Sequence, residues 1–432
     1  MSVALYWFRN DLRLTDNPAL LRASRDGDEL ALVYLRTPDE TAQTRWGFPR
    51  WSPLRRAFRD TALAGLQAAV SARGGTLHVM GGAPAEVLPD LARRIGAARI
   101  HCEAIPAPEE IAEVAALRAA GLEVVDAWQS SLLDPADLPF APNRLPEVFT
   151  AFRQAVERSG AAPRAPVPAP VSLSPSPLPS SSPEAPSVAG PRPPAMAAFP
   201  LGEPAFHGSE AAALAHVERY FQSSAPITYK ATRNGLVGTA YSTKLSPWLA
   251  LGSLSPRTAF AHLQAHEARR GASDGSYWIW FELLWRDFFR FWSVKHGARL
   301  YRARGLGPAG APAHDPAAFD RWRAGETGHP FVDAGMRELA ATGYLSNRMR
   351  QVVASYLVHD LACDWRAGAA WFESRLIDYD VCSNQGNWLY LAGRGADPRQ
   401  GRRFNPDKQA ADYDPDGAYR ALWSAPWAGD PA

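Results

Sequence analysis

The residues best equipped for chemistry lie between positions 229 and 388 of this 432-residue chain. In SYWIWFELLWRDFFRFW, Glu282, Trp285 and Arg286 fall three and four apart, so a helix puts them on one face. A carboxylate, an indole and a guanidinium side by side form a polar stacking surface suited to hydrogen-bonding and stacking a nucleobase. A buried ion pair beside a core tryptophan fits the same spacing. Asn347, Arg350 and Gln351 repeat that spacing on a helix expected to end near Trp365, and the polar loop LIDYDVCSNQGNWLY follows shortly after. Asp378 and Asp380 in this loop are available to pair with Arg350, a charge-assisted contact worth burying only where a site needs the charge fixed. Asn384 and Trp388 flank Gly386. A metal held by the two aspartates is the rival reading, without a histidine cluster to support it.

Upstream, YKATRNGLVGTAYSTKLSPWLALGSLSPR opens a polar loop into a helix. Hydroxyls and backbone amides at such a junction suit a diphosphate, and Lys244 adds charge. An ordinary capped helix start fits equally.

Two kinds of scaffold would bring these segments together. Short apolar runs at 4–9 (ALYWFR), 30–35 (LALVYL), 76–80 (TLHVM), 99–102 (RIHC) and 123–128 (EVVDAW) alternate with helix-like stretches, the rhythm of a parallel βαβ sheet. Thr15 or Asp16 is the expected cap of the first helix, with Pro18 in its first turn. No GxGxxG or P-loop follows any of these strands. From about 160 to 204 the chain turns Pro- and Ser-rich and reads as an extended, solvated linker. Helical segments then follow at about 210–222 and 256–269, in SYWIWFELLWRDFFRFWSVKHG, in HPFVDAGMRELAATG and in SNRMRQVVASYLVHDLACDW. The expected fold class is an α/β N-terminal domain, built on a doubly wound parallel sheet of five strands, plus an all-helical C-terminal domain. The boundaries read as 1–135, a connecting segment at 136–206, and 207–432.

The chain carries a net charge of only +2, unevenly spread: residues 1–218 hold 20 basic and 24 acidic side chains, residues 219–432 hold 26 and 20. A basic C-terminal half suits a polyanionic partner, although a solvated surface gives the same count. Eleven of the 15 tryptophans follow residue 240, which crowds them into the segments that carry the polar groups. The three cysteines have no metal-ligand spacing, so no metal centre or disulfide framework is expected. No apolar run approaches the roughly 18 residues of a membrane span, and the charges in MSVALYWFRNDLRL sit where a signal peptide needs an apolar core. A cytoplasmic monomer is expected.

Assembled in order, WFRNDLRLTDNPAL, LPEVFTAFR, YKATRNG, KLSPWLALGSLSPR, ELLWRDFF, TGYLSNRMRQ, SNQGNW and RRFNPDKQAADYDPDGAY resemble the photolyase and cryptochrome family, most closely its cryptochrome DASH branch, over nearly the whole chain. The resemblance implies an N-terminal antenna domain and a helical domain that binds FAD in a folded conformation. It implies that Tyr229 and the run Ser242, Thr243, Lys244, Leu245 and Ser246 hold the diphosphate and ribityl region, with Arg286, Asn347 and Asp380 also at the cofactor. Arg350 and Asp378 would pair against the isoalloxazine, with Asn384 facing its central reactive nitrogen. The implied reaction is light-driven repair of cyclobutane pyrimidine dimers, with Glu282 and Trp285 against the dimer and Arg233 and Arg348 on phosphates. Gln351 and Tyr390 match the pattern associated with single-stranded DNA. A blue-light receptor that signals through the same flavin is the alternative.

Two departures from the family stand out. Trp388 and Trp365 fill the first two positions of its electron-transfer triad, but the outer position falls at Pro312, which implies slower photoreduction or an exit through another aromatic such as Trp322. Glu109, in the APEE stretch, lies where an acid contacting a folate antenna (methenyltetrahydrofolate) is expected, although an exposed helix start also accounts for it.

Overall fold

Each of the five apolar runs forms a strand: β1 Val3–Phe8, β2 Glu29–Arg36, β3 Leu77–Gly81, β4 Arg99–Glu103 and β5 Glu123–Ala127. The computed structural model describes residues 2–179, 198–203, 205–308, 310–395 and 401–425. The strands make one all-parallel sheet in the order β3-β2-β1-β4-β5. Its strands are apolar at successive positions because both faces are covered. Ala4, Tyr6, Phe8, Leu30 and Leu32 pack into one core, while Leu5, Trp7, Ala31, Val33 and Leu35 pack into another on the opposite face. The crossovers are α1 Pro18–Asp26, α2 Pro53–Ser71, α3 Pro84–Ile95 and α4 Pro108–Ala119. The cap of α1 is Asn17 rather than Thr15 or Asp16, because its side chain accepts the Leu20 amide. Asp16 is instead taken up by Arg257 and Ser255.

The rest of the chain is helical: α5 Phe149–Ser159, α6 Glu210–Gln222, α7 Ala225–Thr232, α8 Ser246–Leu251, α9 Pro256–Arg270, α10 Asp274–His296, α11 Pro316–Ala324, α12 Pro330–Thr342, α13 Asn347–Ser355, α14 Trp365–Arg375, α15 Val381–Leu391, α16 Pro406–Tyr413 and α17 Ala418–Leu422. The Ser273–Ser276 capping box starts α10, and this helix buries residues around most of its circumference, as a central helix must.

Three corrections to the sequence reading follow. The helix from Asn347 stops at Ser355, passes through a π-helical turn at Tyr356–Asp360, and Trp365 begins the next helix instead of ending this one. The stretch expected as a polar loop is largely α15, which Asp380 caps by accepting the Ser383 amide. The linker is not freely solvated in its first part: Val167 and Pro175 accept backbone hydrogen bonds from Asp16 and Leu30, and Leu173 is buried in the sheet core. Residues 180–197 of it lie outside those described.

Sheet and helices are fastened by buried charged groups that reach across to one another. Asp287 of α10 accepts the Leu132 and Leu133 amides at 2.8 and 2.7 Å, Arg290 reaches Glu103 at 3.3 Å, and Arg257 pairs with Asp16 at 2.9 Å. Gly252, at φ +70, permits the closest approach, since a Cβ there would lie 1.9 Å from the Asn10 carbonyl oxygen.

Candidate functional site

One face of α10 presents Glu282, Trp285, Arg286 and Phe289 to a cavity of about 430 Å³. The loop ahead of α8, one face of α13 and one face of α15 close it. Every residue assigned from the sequence to the FAD or the DNA lines this cavity, and of the inner electron-transfer pair Trp388 does while Trp365 does not. The loop residues Ser242, Thr243, Lys244, Leu245 and Ser246 are thereby brought beside Asn347, Arg350 and Gln351, about a hundred positions further along the chain.

Two ion pairs organise the floor. Arg350 donates to Asp378 at 2.7 Å, and Ser246 donates to the same carboxylate oxygen at 2.6 Å. The second oxygen of Asp378 is buried without a partner. Asp380 pairs not with Arg350 but with Arg286 at 3.2 Å, with Arg290 at 3.9 Å. Capping α15 turns its carboxylate toward α10. Burial pushes the Asp380 carboxyl up, but Arg286 and Arg290 more than offset this and hold it below the usual carboxylate range. Asn384 donates to the Ala369 carbonyl at 3.1 Å, so its own oxygen remains available to the cavity.

Lys244 adopts φ +54, uncommon for a residue with a side chain. Its ammonium is buried, lacks a hydrogen-bond partner, and lies 3.3 Å from the Tyr241 ring centroid and 4.7 Å from that of Tyr344. Burial pushes its pKa well below the ordinary value, against the pull of Glu338. Tyr229 is buried at the same cavity.

The other wall carries groups of a different character. Glu282 forms an ion pair with Arg233 and keeps 33% of its side chain accessible. Burial nonetheless raises its pKa, with Arg233 opposing. Trp285 stacks on Phe149 at 3.8 Å and 11°, and meets Tyr390 edge-on at 6.0 Å. Arg402 lies 4.8 Å over Tyr390, and Arg348 donates to Asn234 and Gln409 while covering the Tyr413 ring at 4.6 Å. Cations over rings beside a carboxylate make a surface that takes bases by stacking and phosphates by charge.

Trp365 lies behind this wall, 1% exposed, and donates to the Ala303 carbonyl. Trp388 lines the cavity and packs on Gly368, one turn along α14 from Trp365. Pro312 occupies an exposed-to-intermediate loop ahead of α11. Glu109 is largely exposed and paired with Arg50. Sequence reasoning missed Phe149, Tyr344, Asn387 and Arg402 as cavity or platform residues. All four stand inside the motifs LPEVFTAFR, TGYLSN, SNQGNW and RRFNP, whose wording alone marked them.

A parallel five-stranded sheet docked on a helical module that encloses such a cavity defines a photolyase-type flavoprotein. The profile described as DNA photolyase matches residues 4–171, and the FAD binding domain of DNA photolyase matches residues 278–428. Cryptochrome DASH of Gloeobacter violaceus is 44% identical over 99% of this chain and 86% of its own, and that of Xenopus laevis 42% over 98% and 82%. The crystal structure of a Synechocystis cryptochrome superposes with a TM-score of 0.90 at 42% identity, covering 98% of this chain and 88% of the other. A bacterial class III photolyase from Agrobacterium tumefaciens follows at 0.82 and 30%, covering 98% and 86%. The chain belongs to the photolyase and cryptochrome family, among the cryptochromes DASH.

Among the described residues, no helix is long and apolar enough to cross a membrane, and no group of three or more His, Cys, Asp or Glu side chains could hold a metal ion.

Proposed function

We propose that this chain repairs cyclobutane pyrimidine dimers, preferentially in single-stranded DNA, with FAD held in the cavity. Bound FAD supplies a light-driven, reversible one-electron donor. The observation that carries the reading is the meeting, in one cavity, of a cofactor floor (Arg350, Asp378, Asn384, Lys244) and a base-stacking wall (Glu282, Trp285). A pure receptor has no chemical need for that wall.

The floor fits the cofactor. Two buried polar atoms without partners, the Lys244 ammonium and one Asp378 oxygen, belong to cavity residues and suit a ligand that brings an anionic oxygen to the first and an N–H to the second. Ser242, Thr243 and Ser246 add hydroxyls, Arg286 and Asp380 fix the junction of α10 and α15, and Asn347 and Tyr229 complete the wall. Arg350 keeps Asp378 charged and oriented.

On the substrate side, Glu282 accepts a hydrogen bond from a ring N–H of the dimer, and Trp285, backed by Phe149, stacks on it. Arg233 and Arg348 take phosphates, with Gln351 and Tyr390 at the mouth. A dimer must leave its stack to enter, which costs a few kcal/mol in a duplex and less when the strand is already single. Trp388 is the inner step by which electrons reach the pocket, and Trp365 offers one branch outward from it. Residues 1–135 serve as the antenna domain, joined by 136–206 to the cofactor and DNA domain at 207–432. A folate near Glu109 would compete with the Arg50 ion pair. The protein acts as a monomer.

The test is illumination of the reduced, FAD-loaded protein with dimer-containing single- and double-stranded oligonucleotides, following recovered thymine absorbance. Faster recovery on single strands is expected. No recovery on either overturns the repair reading in favour of a light receptor.

A further inference from the structure

Behind the cavity a continuous file of rings leads outward by a route that avoids Trp365. Trp388 meets Phe372 at 5.1 Å, Phe372 stacks on Trp322 at 6.3 Å, and Trp322 stacks on Phe319 at 5.9 Å. Phe319 then contacts Trp46 at 6.5 Å. His314 closes the last gap, 5.6 Å from Phe319 and 4.8 Å from Trp46. The four inner rings are at most 3% exposed, whereas Trp46 is only partly buried.

Resting on the reading of the cavity as a flavin site, we propose that Trp46, a residue of the sheet half of the chain, is the terminal electron donor of this protein. It does the work expected of an outer tryptophan at Pro312, two positions from the His314 ring that packs on it. Light drives one electron from Trp388 to the acceptor in the cavity. The resulting hole crosses Phe372 to Trp322 and crosses Phe319 to Trp46, since the phenyl rings bridge without being oxidised themselves. Trp322 cannot end the journey: its N–H is held at 2.9 Å by the Val353 carbonyl, which is no base, so its radical cation keeps its proton and must pass the charge on. Trp46 reaches water. There the radical cation loses its N–H proton, leaving a neutral indolyl radical, and a thiol in solution returns an electron and a proton. Two thiyl radicals from two such cycles join as a disulfide.

The surroundings favour this end point over its neighbour Trp371. Trp371 is 4% exposed and has Arg375 at 4.4 Å and Arg323 at 5.6 Å over its ring, two cations that oppose a positive hole. Trp46 has one, Arg45 at 4.4 Å, which also favours release of the indole proton once the ring is oxidised.

The experiment uses the full chain loaded with oxidised FAD, dithiothreitol as the thiol, blue light, and a nitrone spin trap whose adducts are mapped by mass spectrometry. The expected result is an adduct on Trp46 and, in Trp46→Phe, loss of that adduct together with most of the photoreduction rate. Trp46→Tyr, still oxidisable, recovers part of the rate, which a merely structural role would not produce. Trp51→Phe, outside the file, behaves as wild type. Full-rate photoreduction in Trp46→Phe with the adduct on Trp365 overturns the proposal. Failure of the chemically reduced wild type to split dimers on illumination sinks the repair reading alone, because charge transfer to Trp46 involves no DNA.

Discussion

The Asp378 carboxylate splits its two oxygens between opposite duties: one receives Arg350 at 2.7 Å together with Ser246, while the other is buried and unpartnered. An oxygen kept dry and empty inside a protein costs free energy unless a ligand completes it.

Asp378→Asn keeps the shape but leaves the Arg350 guanidinium without its counter-charge. Removing one member of a buried pair costs about 3 kcal/mol or more. The variant is expected to purify with little FAD and to unfold at lower temperature. Flavin absorbance relative to protein absorbance, with a melting curve, checks both. Wild-type flavin content would remove Asp378 from the cofactor floor.

Glu282→Gln and Trp285→Ala separate the stacking wall from the floor. Both should retain FAD. Replacing a charged hydrogen-bond partner lowers repair by about tenfold, and losing one stacked base weakens binding to dimer-containing single strands by about 1–3 kcal/mol, read as the change in Kd. Flavin lost in parallel with repair would mean that the two walls are not separable.

What could be read from the sequence followed from local signals. All five strands were legible because each is a short apolar run between turn residues, and the α10 face was legible because three and four residues is a helical step. The break between Ser355 and Trp365 was not. Its left-handed residue is Ala362, at φ +51, so neither Gly nor Pro marks the stop, and a π-helical turn preserves the helical look of the side-chain pattern. The Asp380 partner was equally hidden, since Arg286 is 94 positions away and only the packing of α15 on α10 brings them together. The first part of the linker looked solvated from composition, yet Leu173 is buried in one sheet core and Leu178 packs against the other.

Glu338 gives the protein a pH dependence opposite to ordinary acid denaturation. It is 2% exposed and accepts a hydrogen bond from Tyr419, and burial raises its pKa from 4.5 to about 7, against Tyr419 and Lys244. The folded state therefore binds the proton more tightly than the unfolded one. This site's contribution is fully present below pH 4.5 and is lost as pH rises to about 7, up to about 3 kcal/mol in all. Glu338→Gln should flatten that slope, so its melting temperature relative to wild type rises between pH 5 and pH 8. Parallel curves would show that Glu338 does not change charge in this range.

Gly368 sets how closely Trp388 approaches α14. A Cβ at this position would lie 2.2 Å from the indole, far inside contact distance, and Leu357 at 2.6 Å blocks retreat on another side. Trp388 is 2% exposed and forms part of the cavity wall, so the ring of a Gly368→Ala protein has room to move only toward the cavity. Overpacking of this kind costs about 1–3 kcal/mol. Part of that cost should appear as weaker FAD binding, with the tryptophan fluorescence shifted by a more exposed ring. Adding the compensating Trp388→Phe should restore the melting temperature and flavin uptake while leaving photoreduction lost, because phenyl gives back the space but not an oxidisable ring. Photoreduction that survives in the double variant would place the first electron step on another residue.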